Sequence, residues 1–107
     1  MSKHDDIANK LAKKFKTDYK SQKGIDIVTG DRVIEVETKK DGIRQGIRQV
    51  QNSSKARYLA VNKQNINNAL DATDGTGIGV MSDTGRIIKR ATRKKWFIII
   101  KYIRRYM

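Results

Sequence analysis

Residues 24–40, GIDIVTGDRVIEVETKK, decide the fold because they predict two β-strands joined by a tight turn. The first strand takes residues 25–29, the turn is Gly30-Asp31, and the second strand takes residues 32–40. Glycine accepts the positive φ that a two-residue hairpin turn requires. The register that follows pairs Val28 with Val33, Ile27 with Ile34, and Asp26 with Glu35.

This hairpin is predicted to have one acidic and one apolar face, because side chains alternate along a strand. The acidic face carries Asp26, Glu35, Glu37 and Lys39. The apolar face, which we expect to be the buried one, carries Ile25, Ile27, Ile34, Val36 and Thr38.

The acidic face is unfavourable on stability grounds alone, since like charges opposite each other on paired strands cost up to about 1 kcal/mol. The chain has 24 Lys and Arg residues, yet Glu35 and Glu37 are its only glutamates. Converging carboxylates predict a compensating cation, and oxygen ligands suit Mg²⁺ or Mn²⁺. With Lys39 beside such an ion, the face suits phosphodiester hydrolysis. The alternative is a solvated strand face that Lys39 and nearby arginines neutralise.

Asp26 followed by Glu37-Thr38-Lys39 resembles the D…(D/E)-x-K signature of the PD-(D/E)xK nuclease superfamily, with Gly24-Ile25-Asp26 in place of its Pro-Asp. In size and basic charge the chain is most similar to archaeal and viral Holliday junction resolvases. The resemblance implies a restriction-endonuclease-like fold, Mg²⁺ or Mn²⁺ as cofactor with no small-molecule cofactor, DNA as substrate, and a homodimer. It implies that Asp26, Glu37 and Lys39 are catalytic and that Asp26 and Glu37 hold the metal, with Glu35 as a further ligand.

A second alignment of the motif stays open. In an E-x-E version, Glu35 is the metal ligand and Glu37 takes the position of the lysine, which leaves Lys39 one step too far along. We favour Glu37-Thr38-Lys39 because it requires no substitution in the signature.

The charge of the chain predicts a polyanionic partner, since the net charge is +13 and the pI is about 10.2. From Arg86 to Met107 there are nine basic residues and no acidic one. The residues expected to contact DNA are Arg44, Arg48, Gln49, Arg90, Arg93, Lys94 and Lys95. The alternative function is a non-catalytic, basic nucleic-acid-binding module on a degenerate nuclease fold.

The composition predicts a cytoplasmic protein with no membrane partner. Cysteine is absent, which fits a reducing compartment, and the polar N-terminus does not resemble a signal peptide. No apolar run reaches the roughly 18–20 residues that a bilayer-spanning helix needs.

Residues 4–16 predict an amphipathic helix on which Ile7, Leu11 and Phe15 share one face. Acidic residues in the first turn suit the helix dipole. The resemblance to resolvases offers another role for one of them, Asp6, as an additional acidic ligand. His4, the only histidine, is expected to be solvated.

The remaining periodicity predicts a helix over residues 41–52, a strand over 57–61, a helix over 63–72 and a strand pair over 78–88. This order predicts an α/β domain, a mixed central sheet flanked by helices, over residues 1–90. Residues 91–107 are expected to form a basic and apolar segment that packs on the domain or at a dimer interface.

Overall fold

The computed structural model of the protein describes residues 3–19 and 24–92. Its helices and strands are α1 (Lys3–Lys14), β1 (Ile27–Val28), β2 (Arg32–Glu37), α2 (Ile43–Val50), β3 (Ala56–Val61), α3 (Ile66–Thr73), β4 (Gly79–Ser82) and β5 (Ile87–Lys89). Short 3₁₀ turns, Lys40–Gly42 and Lys63–Asn65, lead into α2 and α3. Residues 93–107 of the predicted C-terminal segment lie outside the described residues.

The five strands form one mixed sheet in the order β1-β2-β3-β4-β5. The three central strands are parallel, and β1 and β5 are antiparallel to their neighbours. The predicted α/β class with a mixed sheet is therefore confirmed. The predicted hairpin register is confirmed as well, because Ile27 pairs with Ile34 and Val28 pairs with Val33.

Helices cover both faces of the sheet. On one face α1 packs through Ile7 and Leu11 onto a cluster that includes Ile27, Ile34 and Val36. On the other face α2 and α3 pack onto a second cluster, with Val33, Leu59 and Val80 at its centre. Each crossover helix buries its apolar stripe against a parallel strand pair, which is the usual arrangement of an α/β domain.

Both faces of β2 are thus buried, and the expectation of one buried face was wrong. The acidic face is the one that α2 and α3 cover, so Glu35 is only 7% exposed. Ile25 was predicted on the same face as Ile27, but it packs with the α2 and α3 cluster instead. The reason is that β1 begins only at Ile27, so strict alternation does not extend back to Ile25.

One edge of the sheet collects the ends of the central strands, and we call it the carboxyl edge. The register aligns Glu37 at the end of β2 with Val61 on β3, and Val61 with Ser82 on β4. Since β1 runs the opposite way, its first residue and the preceding Asp26 lie at this edge too. The topology therefore brings Asp26 and Glu37 to the same end of the molecule.

At the opposite edge of the sheet, Arg57 connects two loops. It lies at the start of β3 and is 3% exposed. Its guanidinium donates hydrogen bonds to the carbonyl oxygens of Gln51 and Thr76, each across 3.1 Å. Arg57 thereby joins the segments that precede β3 and β4. Among the described residues, none of the helices combines the length and the apolar character needed to cross a bilayer.

Candidate active site

At Asp26 the backbone–backbone hydrogen bonds of the β1–β2 pair are replaced by hydrogen bonds from backbone amides to carboxylate side chains. The β1–β2 pairing ends at Ile27 and Ile34. Beyond it the Val36 amide donates to Oδ2 of Asp26 across 2.9 Å, and the Asp26 amide donates to Oε1 of Glu35, also across 2.9 Å. Two carboxylates thus accept hydrogen bonds from the backbone where a longer strand pair would use carbonyl oxygens.

Asp26 and Glu35 are both 7% exposed, so two acidic side chains share a buried position. Burial raises the pKa of Glu35 to about 8; the Asp26 amide opposes this shift and the nearby Asp26 carboxylate adds to it. A proton bound by a buried acidic pair occupies a position that a cation can take.

Glu37 is half-buried beneath the start of α2. A β-carbon at Gly42 would collide with its Oε2 atom, and one at Gly46 would lie 2.9 Å from its Cγ atom. These two glycines, one helical turn apart, create the space that the glutamate side chain occupies. Burial raises the pKa of Glu37 to about 7, with His4 lowering it and Asp26 raising it further.

Lys39 is exposed and follows the end of β2 by two residues. Its side chain makes no hydrogen bond or ion pair with the other described residues, whereas Asp26 contacts Glu35 directly. The structure therefore brings Asp26, Glu35 and Glu37 together and leaves the Lys39 side chain outside the group.

His4 belongs to the site, so the expectation that it is solvated was wrong. Its Nε2 atom lies 3.1 Å from Oδ2 of Asp26, and its Nδ1 atom lies 3.3 Å from the hydroxyl of Tyr19. Tyr19 in turn donates to Oδ1 of Asp5 across 2.7 Å. Burial, followed by the hydrogen bond to Asp5, raises the pKa of Tyr19.

The first helix contributes to the site, but through His4 and Asp5. Asp6, which the resemblance offered as an additional ligand, is exposed in the first turn of α1. The contact between Gly46 and Glu37 could have been predicted from the sequence, because a glycine inside a helical pattern often marks a close packing contact. It had no comparable signal for His4, whose position depends on how α1 lies across the sheet.

The predicted DNA contacts divide by location. Arg44, Arg48 and Gln49 are exposed on α2. Arg90 is exposed, but it follows the antiparallel β5 and so lies at the edge opposite to Glu37. Arg93, Lys94 and Lys95 lie outside the described residues. Further exposed cations follow the ends of β2, β3 and β4 at the carboxyl edge: Lys39, Lys40, Lys63 and Arg86.

The donor set suits a hard divalent cation, because Asp26, Glu35 and Glu37 offer carboxylate oxygens. In the part of the chain that the structure describes, no Lys or Arg forms an ion pair with any of them, and His4 is the one partner within ion-pair distance. The same part of the chain holds no three His, Cys, Asp or Glu side chains already arranged as a metal site.

Comparison of the chain with protein-family models, with curated proteins and with solved structures gives no match in any of the three.

Proposed function

We propose that the protein is a divalent-metal-dependent DNA endonuclease with a restriction-endonuclease-like fold, acting on phosphodiester bonds. The observation that carries the proposal is the contact between Asp26 and Glu35. Two acidic side chains are buried together at the carboxyl edge, with no Lys or Arg paired to them in the described residues. Two carboxylates buried side by side repel each other once both are ionised, so such a pair points to a cationic ligand.

The residues divide the chemistry between them. Asp26 and Glu35 would hold Mg²⁺ or Mn²⁺ through carboxylate oxygens, and Glu37 would complete the ligands or orient the attacking water. The ion, when bound, supplies positive charge to the phosphate and lowers the pKa of a bound water. Gly42 and Gly46 leave the space that the Glu37 side chain occupies.

The surface around the site suits a nucleic-acid backbone. Lys39, Lys40, Arg44 and Lys63 are exposed on segments at or beside the carboxyl edge. A polyanion bound through such side chains releases counterions, so its affinity falls steeply with salt. Branched DNA and a homodimer, in the cytoplasm, are the substrate, assembly and location that the resemblance to junction resolvases favours.

Cleavage of labelled branched, duplex and single-stranded DNA, with Mg²⁺, with Mn²⁺ and with EDTA, tests the proposal. We expect metal-dependent cleavage that Asp26→Asn and Glu35→Gln each reduce by more than about 100-fold, since a lost ligand costs at least as much as a lost outer-shell partner. DNA affinity, measured by fluorescence anisotropy, should change little. Asp71→Asn, which removes an exposed carboxylate on α3, is the matched control and should cleave normally.

A non-catalytic nucleic-acid-binding module is the second candidate. It is favoured by one observation, the absence of a complete three-ligand set among the described residues. Tight, salt-dependent DNA binding without cleavage of any substrate in either metal would support this candidate and exclude the nuclease. Cleavage that persists in the Asp26→Asn variant would remove the acidic pair from the mechanism.

A further inference from the structure

We infer that His4 is a positioning residue that orients the Asp26 carboxylate for metal binding, and that Tyr19 and Asp5 hold His4 in place. The inference rests on the proposed function in one respect, namely that Asp26 is a metal ligand. It adds His4 and Asp5 of the N-terminal helix, and Tyr19 beyond it, to a site whose metal ligands come from the hairpin.

The imidazole ring of His4 is held from two sides. Its Nε2 atom contacts Oδ2 of Asp26 at 3.1 Å, and its Nδ1 atom lies 3.3 Å from the Tyr19 hydroxyl and 3.5 Å from Oδ1 of Asp5. The Tyr19 hydroxyl is itself fixed by its hydrogen bond to Asp5. A ring with oxygen atoms at both nitrogens has little freedom to rotate away from Asp26.

The contact fixes one particular oxygen of Asp26. Oδ2 accepts a hydrogen bond from the Val36 amide at 2.9 Å and also faces Nε2 of His4. The two contacts come from different elements, α1 and β2, and together they hold Oδ2 in place. Outer-shell partners of this kind orient the carboxylates that bind metals and typically change metal affinity by about 10–100-fold.

The network also links the first turn of α1 to the hairpin. Asp26 precedes β1 by one residue and lies outside the ladder, so strand pairing alone does not fix its side chain. His4 comes from the first turn of α1, 22 residues earlier, and reaches it from the other face of the sheet. The helix thereby supplies the restraint that a longer β1 would have supplied.

Metal binding measured without DNA tests the inference apart from nuclease activity. Isothermal titration calorimetry with Mn²⁺, and separately with Mg²⁺ and Ni²⁺, is carried out on the full chain and on His4→Ala, His4→Gln and Tyr19→Phe. Asn9→Ala, an exposed position on α1, is the control for changes in helix stability. Thermal unfolding of each metal-free variant confirms that it is folded at the temperature of the titration.

We expect His4→Ala to raise the dissociation constant for Mn²⁺ and for Mg²⁺ by about 10–100-fold. His4→Gln, whose amide can still donate to Asp26, should recover most of the affinity, Tyr19→Phe should show a smaller loss, and Asn9→Ala should match the wild type.

Unchanged Mn²⁺ affinity in His4→Ala overturns the inference and leaves the nuclease proposal intact. If His4→Ala loses affinity for Ni²⁺ alone, the inference is also overturned. Imidazole is a good ligand for Ni²⁺, so His4 would then bind the metal directly instead of orienting Asp26. A wild-type chain that binds no divalent ion removes both proposals, whereas His4-dependent Mn²⁺ binding without DNA cleavage removes only the nuclease.

Discussion

The backbone amide of Asp26 donates a hydrogen bond to the Oε1 atom of Glu35 across 2.9 Å, so two acidic residues are joined at the point where the β1–β2 ladder ends. Only one oxygen of Glu35 is used in this bond. The arrangement holds a carboxylate in place without neutralising it, because an amide contributes a dipole and no net charge. The electrostatic cost of placing the Asp26 and Glu35 carboxylates close together therefore remains, and it should affect how the protein responds to pH and to divalent metals.

The acidic pair should make the metal-free protein less stable as the pH rises. The pKa of Glu35 is raised from 4.5 to about 8 in the folded state, so the folded protein binds this proton more tightly than the unfolded chain does. The resulting stabilisation is complete below about pH 4.5 and is lost as the pH rises through 8. Urea denaturation in EDTA from pH 5 to 9 measures it.

Glu35→Gln is the variant that isolates this effect, because glutamine cannot lose a proton. We expect its stability to depend less on pH than that of the wild type, and Mn²⁺ should stabilise the wild type most above about pH 8, where most Glu35 groups have lost the competing proton. Parallel pH profiles for the two proteins would show that Glu35 does not carry the effect.

Replacing Lys39 separates the two alignments of the motif. Since Lys39 is exposed and contacts none of the acidic residues, we expect Lys39→Ala to lower DNA affinity modestly with little change in kcat. Lys40→Ala, the adjacent exposed lysine, should behave similarly, and Glu37→Gln should abolish turnover. If Lys39→Ala instead abolishes turnover while DNA affinity is preserved, the catalytic motif is Glu37-Thr38-Lys39.

Gly46→Ala should destabilise the protein even though alanine favours helices over glycine by up to about 1 kcal/mol. The added β-carbon would lie 2.9 Å from Cγ of Glu37 and 3.0 Å from Cδ2 of Leu59, and overpacking of this kind costs about 1–3 kcal/mol. Chemical denaturation compared with Gly42→Ala is the measurement. The smaller loss is expected at Gly42, where the added carbon meets only the movable end of the Glu37 side chain.

A double-mutant cycle tests whether Glu37 is the cause. Combining Gly46→Ala with Glu37→Ala removes the Glu37 atoms that the new methyl group meets, so the two changes should cost less together than the sum of each alone. Additive free energies of unfolding would assign the cost to Leu59 instead.

Arg57→Met should lower the free energy of unfolding by about 1.5–3 kcal/mol for each of the two hydrogen bonds lost, the usual net contribution of a hydrogen bond to a charged group. The carbonyls concerned belong to Gln51 and Thr76. Arg90→Met, an exposed arginine near the same edge, is the control and should change stability by less than about 0.5 kcal/mol. Metal affinity measured by calorimetry should be the same in both variants; a loss in Arg57→Met alone would connect the two edges of the sheet.

The hairpin and the order of elements could be predicted from sequence because both depend on local patterns. Alternation and the Gly30-Asp31 turn set the register of Ile27 with Ile34, and helical periodicity located the crossovers. The burial of Glu35 could not be predicted this way, because its alternation with apolar residues is the pattern of a solvated face. It is buried because two helices cross over that face, a tertiary effect that outweighs the local pattern.

The membership of the site was predictable only in part. Asp26, Glu35 and Glu37 are close in sequence along one hairpin, so strand geometry alone brings them together. His4 and Tyr19 reach the same place through the packing of α1, and an amphipathic pattern determines which face a helix buries but not which strand end its first turn meets. The sequence could predict that cations such as Arg44 are exposed. It could not predict that Arg90 lies at the opposite end of the strands from Glu37.

The bridge that Arg57 makes has a practical consequence for engineering. Its anchoring contacts lie at one end of the strands and the acidic residues lie at the other, so substitutions around Arg57 should leave the acidic residues undisturbed. Stabilising substitutions introduced around Arg57 would offset the losses from disruptive changes at the acidic end. A reinforced scaffold of this kind would allow each carboxylate to be replaced in turn, with the protein still intact enough to assay.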